Sequence, residues 1–338
     1  MNNPRGFKGG EVEPTIFGMN FRSFKKIKMF IFIATSGWTI YTFVFTRFNR
    51  KRYRVLDSEG EPVELSPRLK ELAELTLKQI VYPLSYRKKT EFFLTDQIDF
   101  VNLSAPWFNT LITGNSRIGI PFYYEIFDSN DVTEEFLEKV SQKLPLKEDK
   151  KEAWYQTEEG KMLIESLKLK NEAKMYGIAQ NIHIQATNHP LFSKALLPCL
   201  ILLALKLHDF THSQVGTILG PQGQVIYVIT IAIITLSFVY ISQALSLSDA
   251  IRNSDHDIFS SRYTDFKTAA IEYYEKWIQR NKALRVLIRR GNRAYSVRGD
   301  PQAWSKAVSE SLEVRLNWTK RNLEKLDGSK LGNPVEEI

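Results

Sequence analysis

Val225–Leu245 reads VIYVITIAIITLSFVYISQAL. At ~1.5 Å rise per residue, a helix of roughly twenty residues covers the ~30 Å hydrocarbon core of a bilayer. The run carries no charge, and the flanking ionisable groups are Asp209 and His212 before it and Asp249 after it. Ile231, Ile233, Ile234, Leu236, Phe238 and Val239 make such a helix apolar all round, whereas a soluble surface helix shows a polar face. The segment predicts a transmembrane helix and an integral membrane protein.

Upstream lies a shorter apolar run, Leu191–Leu207. Its uncharged core, Ala195 to Leu205, falls short of the ~17 residues a span needs. Lys194 and Lys206 can snorkel and lengthen it; a re-entrant or interfacial helix is the competing reading. The connector HDFTHSQVGTILGPQGQ has Gly216, Gly220-Pro221 and Gly223 to turn the chain. Residues 191–247 therefore predict a hairpin of spans 191–207 and 225–245. A first span is expected at 29–46, where Trp38 and Tyr41 suit a membrane interface. Residues 1–28 before it form an N-terminal segment. Glu11 and Glu13 disfavour a cleaved presequence, so an uncleaved signal-anchor is expected. The cations after the first span (Arg47, Arg50, Lys51, Arg52, Arg54) are denser than those before it. They put the following segment on the cytoplasmic or matrix side.

The 338 residues are 43% hydrophobic and 25% charged, with a mean hydropathy of −0.26. That is too polar for a polytopic transporter and fits a few spans plus a water-exposed domain. Cys199 is the single cysteine, which excludes an intramolecular disulfide. Net charge is +8, compatible with nucleic acid, anionic lipid or a negatively polarised compartment.

Residues 47–190 read as a soluble α+β segment. Ser66-Pro67 opens a helix with Leu69, Leu72, Leu75 and Ile80 on one face, ending near Tyr82-Pro83. Strands are expected at 91–95, 98–103 and 117–127, with Pro121 marking an edge or bulge. Helices follow from Val132 to Leu144 and over roughly 158–186. Residues 248–338 predict a C-terminal helical segment packing with 47–190. A long helix starts near Ser261, carries Phe266, Tyr273 and Trp277 as a core stripe, and stops at Arg289-Arg290-Gly291. A last helix is expected from Asp300-Pro301. The fold class is thus a mainly α-helical membrane protein with three transmembrane helices and an α+β soluble domain.

His208 and His212, at i and i+4, can share a metal ion on one helical face. They are the metal candidates, with His183, His189, Asp255, His256 and Asp257 as possible further ligands. Cys199, in an apolar run, reads as a small hydrophobe. The glycines at 216, 220 and 223 match no phosphate-binding spacing. The strip LIRRGNRAYSVRG (287–299) suits RNA phosphate or anionic lipid, or is a solvated helix end. No residue is assigned a catalytic or cofactor-binding role, and no cofactor or nucleic-acid partner is expected.

Residues 266–299 resemble the transmembrane protein 177 family. The likeness rests on Glu272-Tyr273-Tyr274-Glu275-Lys276, on Asn281 with Ala283-Leu284-Arg285, and on Gly291, Tyr295 and Gly299. Gly119-Ile120-Pro121 and the layout of spans fit as well, while the Lys-rich tail beyond Pro301 does not match. The resemblance implies a non-enzymatic factor of the mitochondrial inner membrane, and with the cation asymmetry around the first span its soluble domain is expected to face the matrix. Such a factor supports biogenesis of cytochrome c oxidase subunit two together with that subunit's assembly chaperone. A second resemblance is to membrane-bound zinc metallopeptidases, with 171–184 in place of the zinc helix. Gln180-Asn181-Ile182-His183-Ile184 stands there instead of H-E-x-x-H, which implies a degenerate zinc-metallopeptidase-like fold. The alternatives are a metallopeptidase-like protein using His208 and His212, or a tether for mitochondrial ribosomes.

Overall fold

The computed structural model of the chain describes residues 15–16, 19–20, 54–56, 59–80, 90–102, 116–148, 151, 153–186, 230, 233, 237, 249–259, 264–302 and 310–331. The chain divides into two compact units, Met1–Val44 with Lys194–Val239, and Phe45–Ser193 with Tyr240–Ile338. In the first unit, strand β1 (Thr15–Ile16) pairs antiparallel with β2 (Met19–Asn20), and Thr230, Ile233 and Ser237 are helical.

The expectation of three transmembrane helices is corrected: among the described residues no helix is long and apolar enough to cross a membrane. The segments behind that expectation, 29–46, 191–207 and most of 225–245, lie outside the described residues. What is described is mostly helical with little sheet. The degenerate metallopeptidase-like fold is set aside with the three-span layout.

The second unit begins its core with helix α1 (Pro67–Gln79). Ser66 Oγ accepts from the Leu69 amide and proline fills the first helical position, which offsets the unpaired amides of the first turn. Leu69, Ala73, Thr76 and Leu77 face the core, whereas Leu75, expected on that face, is 44% exposed. The helix stops at Gln79, short of the expected Tyr82-Pro83, because Ile80 is extended.

Strands β3 (Thr90–Thr95), β4 (Val101–Asn102) and β5 (Ser116–Pro121) form a three-stranded sheet in the order β3-β5-β4. β3 runs parallel and β4 antiparallel to β5. Pro121 therefore ends a central strand and does not mark an edge. The strand expected over 117–127 stops there, and Phe122–Glu125 coil into a 3₁₀ turn. Proline brings no amide to the ladder, which explains the stop. Of the strand expected at 98–103, Val101–Asn102 form β4, Ile98 and Asp99 are engaged by a helix described below, and residue 103 lies outside the described residues.

Helix α2 (Glu134–Lys143) starts at Thr133, whose hydroxyl accepts from the Phe136 amide. The single helix expected over 158–186 is two, α3 (Glu158–Leu167) and α4 (Asn171–Ala186). The break is held from outside: Lys276 Nζ donates to the Glu165 carbonyl, and the Lys170 amide donates to Glu272 Oε1. Leu169 between the two helices is buried. From Ala173 to Ile182 every residue of α4 is buried, so this helix is the axis of the unit. Helix α5 (Thr264–Leu287) packs on α3, α4 and the last helix, α7 (Leu312–Leu331), with the short α6 (Gly291–Ala294) between them. The last helix begins at Leu312 rather than Asp300. Asp300 instead reaches forward and accepts from the Leu312 amide at 2.7 Å.

Candidate functional site

Asp255, on helical residues 249–259, turns inward. Its Oδ1 accepts from Tyr176 Oη, Gln180 Nε2 and Tyr274 Oη, each at 2.7 Å. Its Oδ2 accepts from Arg315 Nε at 3.0 Å and Nη2 at 2.7 Å. Arg315 also donates to the Tyr274 hydroxyl and lies 4.7 Å over its ring. Both charged side chains are 5% exposed. Burial works against the guanidinium charge, but the facing Asp255 outweighs it and holds Arg315 cationic. Burial drives the Tyr176 and Tyr274 hydroxyls well above the usual phenol range, so both stay protonated donors. The cluster joins four helical elements through one carboxylate.

A second buried arginine lies one turn and a half further along α5. Arg280 donates to Asp99 Oδ1 at 2.7 Å, to the Ile98 carbonyl at 3.0 Å and to Tyr123 Oη at 3.3 Å. Beside it, Asn281 Nδ2 donates to the Gly299 carbonyl at 2.8 Å. Between the two arginines opens a cleft of about 210 Å³, walled by Phe100, Tyr273, Trp277 and Ile184. That is smaller than the ~300–1,000 Å³ of ordinary ligand pockets. Its two arginines already face carboxylates within the fold. Chemically, the arrangement fixes helices to one another through paired charges.

The family-like residues 272–276 each tie α5 to a different neighbour. Glu272 Oε1 accepts from the Lys170 amide at 3.1 Å, and Lys276 Nζ reaches the Glu165 carboxylate at 3.0 Å. Glu275 pairs with Lys320 on α7 at 2.9 Å. Tyr274 enters the Asp255 cluster, while Tyr273 packs over Gly177, where an added Cβ would lie 2.7 Å from the Tyr273 ring. Only a glycine lets α4 and α5 approach this closely. Gly119 meets the same need in the sheet, with the Phe93 ring 2.7 Å from where its Cβ would be.

Of the metal candidates, His208, His212 and His189 lie outside the described residues, as does Cys199. His183 Nδ1 stands 3.6 Å from Asp257 Oδ2, and burial lowers the His183 pKa. His256 is exposed, and Asp255 is taken by Arg315. Among the described residues no group of three His, Cys, Asp or Glu side chains could hold a metal ion. Sequence reasoning overlooked Arg280 and Arg315. Each is a cation inside an apolar stripe, Arg280 after Tyr273 and Trp277, Arg315 between Leu312 and Leu316. That pattern was the available signal.

The family description Transmembrane protein 177 matches residues 110–312. The chain belongs to this family. Transmembrane protein 177 of Danio rerio is 25% identical over 249 residues, covering 72% of this chain and 74% of the relative. The protein of the same name from Xenopus laevis is 25% identical over 252 residues, again 72% and 74%. No solved structure matches the chain. Membership in the family places the chain among membrane proteins.

Proposed function

We propose that this member of the transmembrane protein 177 family acts without catalysis, as a stabilising factor for a newly made membrane subunit. The subunit is cytochrome c oxidase subunit two, held in the mitochondrial inner membrane together with its assembly chaperone. Family membership over residues 110–312 is the observation that carries the reading. The internally paired polar groups around Asp255 and Arg280 support it, because they serve packing first. The unit containing α1 to α7 faces the matrix in this account. Pulse labelling of mitochondrial translation products in cells lacking the protein tests the function. Subunit two should turn over faster than its neighbours, and unchanged turnover overturns the proposal. Protease protection of the C-terminus in mitoplasts tests the orientation, protection being expected.

A further inference from the structure

Residues 294–302 form a tight hairpin. The Gln302 amide donates to the Ala294 carbonyl at 2.7 Å, the Ser296 amide to the Asp300 carbonyl at 2.8 Å, and the Gly299 amide to the Ser296 carbonyl at 3.1 Å. Tyr295 and Pro301 bridge across it. Gly299 takes φ +91°, a left-handed conformation that favours glycine. Asn281 clamps the Gly299 carbonyl from α5 at 2.8 Å. The turn is therefore rigid, and its two central residues are Val297 and Arg298.

Val297 is 75% exposed, the most exposed large apolar side chain among the described residues. Turn tips ordinarily take Gly, Asn, Asp, Ser or Pro, each for a backbone or hydrogen-bonding reason that valine lacks. Exposed Arg290 and Arg293 precede the hairpin in sequence, and exposed Arg298 shares its tip. Arg298 reaches Glu313 only at 3.9 Å, with 79% of its side chain exposed. Neither Arg290 nor Arg293 forms a salt bridge among the described residues. Arg289, by contrast, is paired with Glu148.

Capping of α5 does not account for these cations. The Leu284 carbonyl accepts from the Ile288 amide, the Leu287 carbonyl from the Lys147 amide, and the Ile288 carbonyl from the Gly291 amide. Two of the last four carbonyls of α5, those of Leu284 and Leu287, are thus closed by backbone amides, and the Arg290 and Arg293 side chains are exposed. RNA would use an aromatic for base stacking. The strip's one aromatic, Tyr295, is packed against the core instead.

We propose that the Val297 tip and its arginines dock on an anionic lipid surface. An apolar side chain inserts at the headgroup boundary while the cations meet phosphate, the pairing such surfaces select. Membership in a membrane-protein family supplies that surface close at hand.

The test uses the full-length protein with Cys199→Ala and Val297→Cys, labelled at the new thiol with an environment-sensitive fluorophore. It is reconstituted in vesicles of phosphatidylcholine, alone or mixed with phosphatidylglycerol. The expected result is a blue shift and quenching by spin-labelled lipid in the anionic vesicles, reversed by salt. Arg290→Gln and Arg293→Gln should each lower the docking constant by roughly fivefold, from ~1 kcal/mol per cation. A label equally water-exposed in both vesicles overturns the proposal. So does a response to added RNA without one to anionic lipid.

Discussion

Arg315 on α7 and Asp255 on residues 249–259 meet at 2.7 Å with both side chains 5% exposed. The last helix is thereby held to the interior by a charge pair rather than by apolar contact alone. Such a pair is hard to break one partner at a time, because the survivor is left charged and buried. Arg315→Met is expected to destabilise the unit by ~3–5 kcal/mol. Removing both charges, with Asp255→Asn added, is expected to cost less than the two changes summed. Denaturant unfolding of the full-length protein in detergent, arranged as a double-mutant cycle, reads the coupling. Additive changes would contradict it.

Gly177→Ala sets helix propensity against packing. Alanine favours a helix by ~1 kcal/mol over glycine. Here the new methyl would collide with Tyr124 Oη and lie 2.7 Å from the Tyr273 ring. Both rings are buried, and overpacking of that kind costs about 1–3 kcal/mol. A net loss of stability is expected in thermal unfolding, and a gain would show that α4 and α5 can separate without cost.

Arg280→Lys keeps the charge and loses the planar multi-donor fork. A lysine ammonium cannot serve Asp99, the Ile98 carbonyl and Tyr123 together as Arg280 does. A loss of about 1–3 kcal/mol is expected from the unsatisfied buried acceptors. Hydrogen exchange should rise at residues 98–102 before the rest of the unit.

Lys174 gives the unit a pH dependence. Its side chain is fully buried, donates to the Ile126 carbonyl at 2.5 Å and lies 3.7 Å over the Phe127 ring. Burial, with repulsion from Arg68, lowers its pKa to about 8. Since the folded pKa lies below the unfolded one, the unfolded chain holds more protons above that pH. Stability therefore rises as pH climbs from about 8 towards about 10, by on the order of 2 kcal/mol. The buried tyrosines, whose pKa values are raised, act oppositely above that range. Lys174→Met should flatten the rise measured by unfolding at stepped pH, and an unchanged slope would assign it elsewhere.

Local signals carried part of the fold. Ser66-Pro67 marks a helix start by residue type alone, and Ser66 caps as its chemistry requires. The break at Lys168–Lys170 has no proline or glycine to announce it. It depends on Glu272 and Lys276, about a hundred residues away in sequence. Sequence separation also hid the cluster around Asp255, whose partners on α4, α5 and α7 lie between 19 and 79 residues away. Asp255 looked like a spare metal ligand because nothing near it in sequence supplies a cation to its buried face. The residues of the EYYEK stretch were recognisable as a pattern, but their separate partners appear only once α5 is packed.

The proposed non-enzymatic hold on cytochrome c oxidase subunit two is tested by capture. Mitochondrial translation products are pulse-labelled in cells carrying the tagged full-length protein, solubilised in mild detergent and retrieved through the tag. The account predicts that newly made subunit two is enriched over the other translation products, and that the enrichment fades during the chase. Recovery of all products equally, or of none, would contradict it.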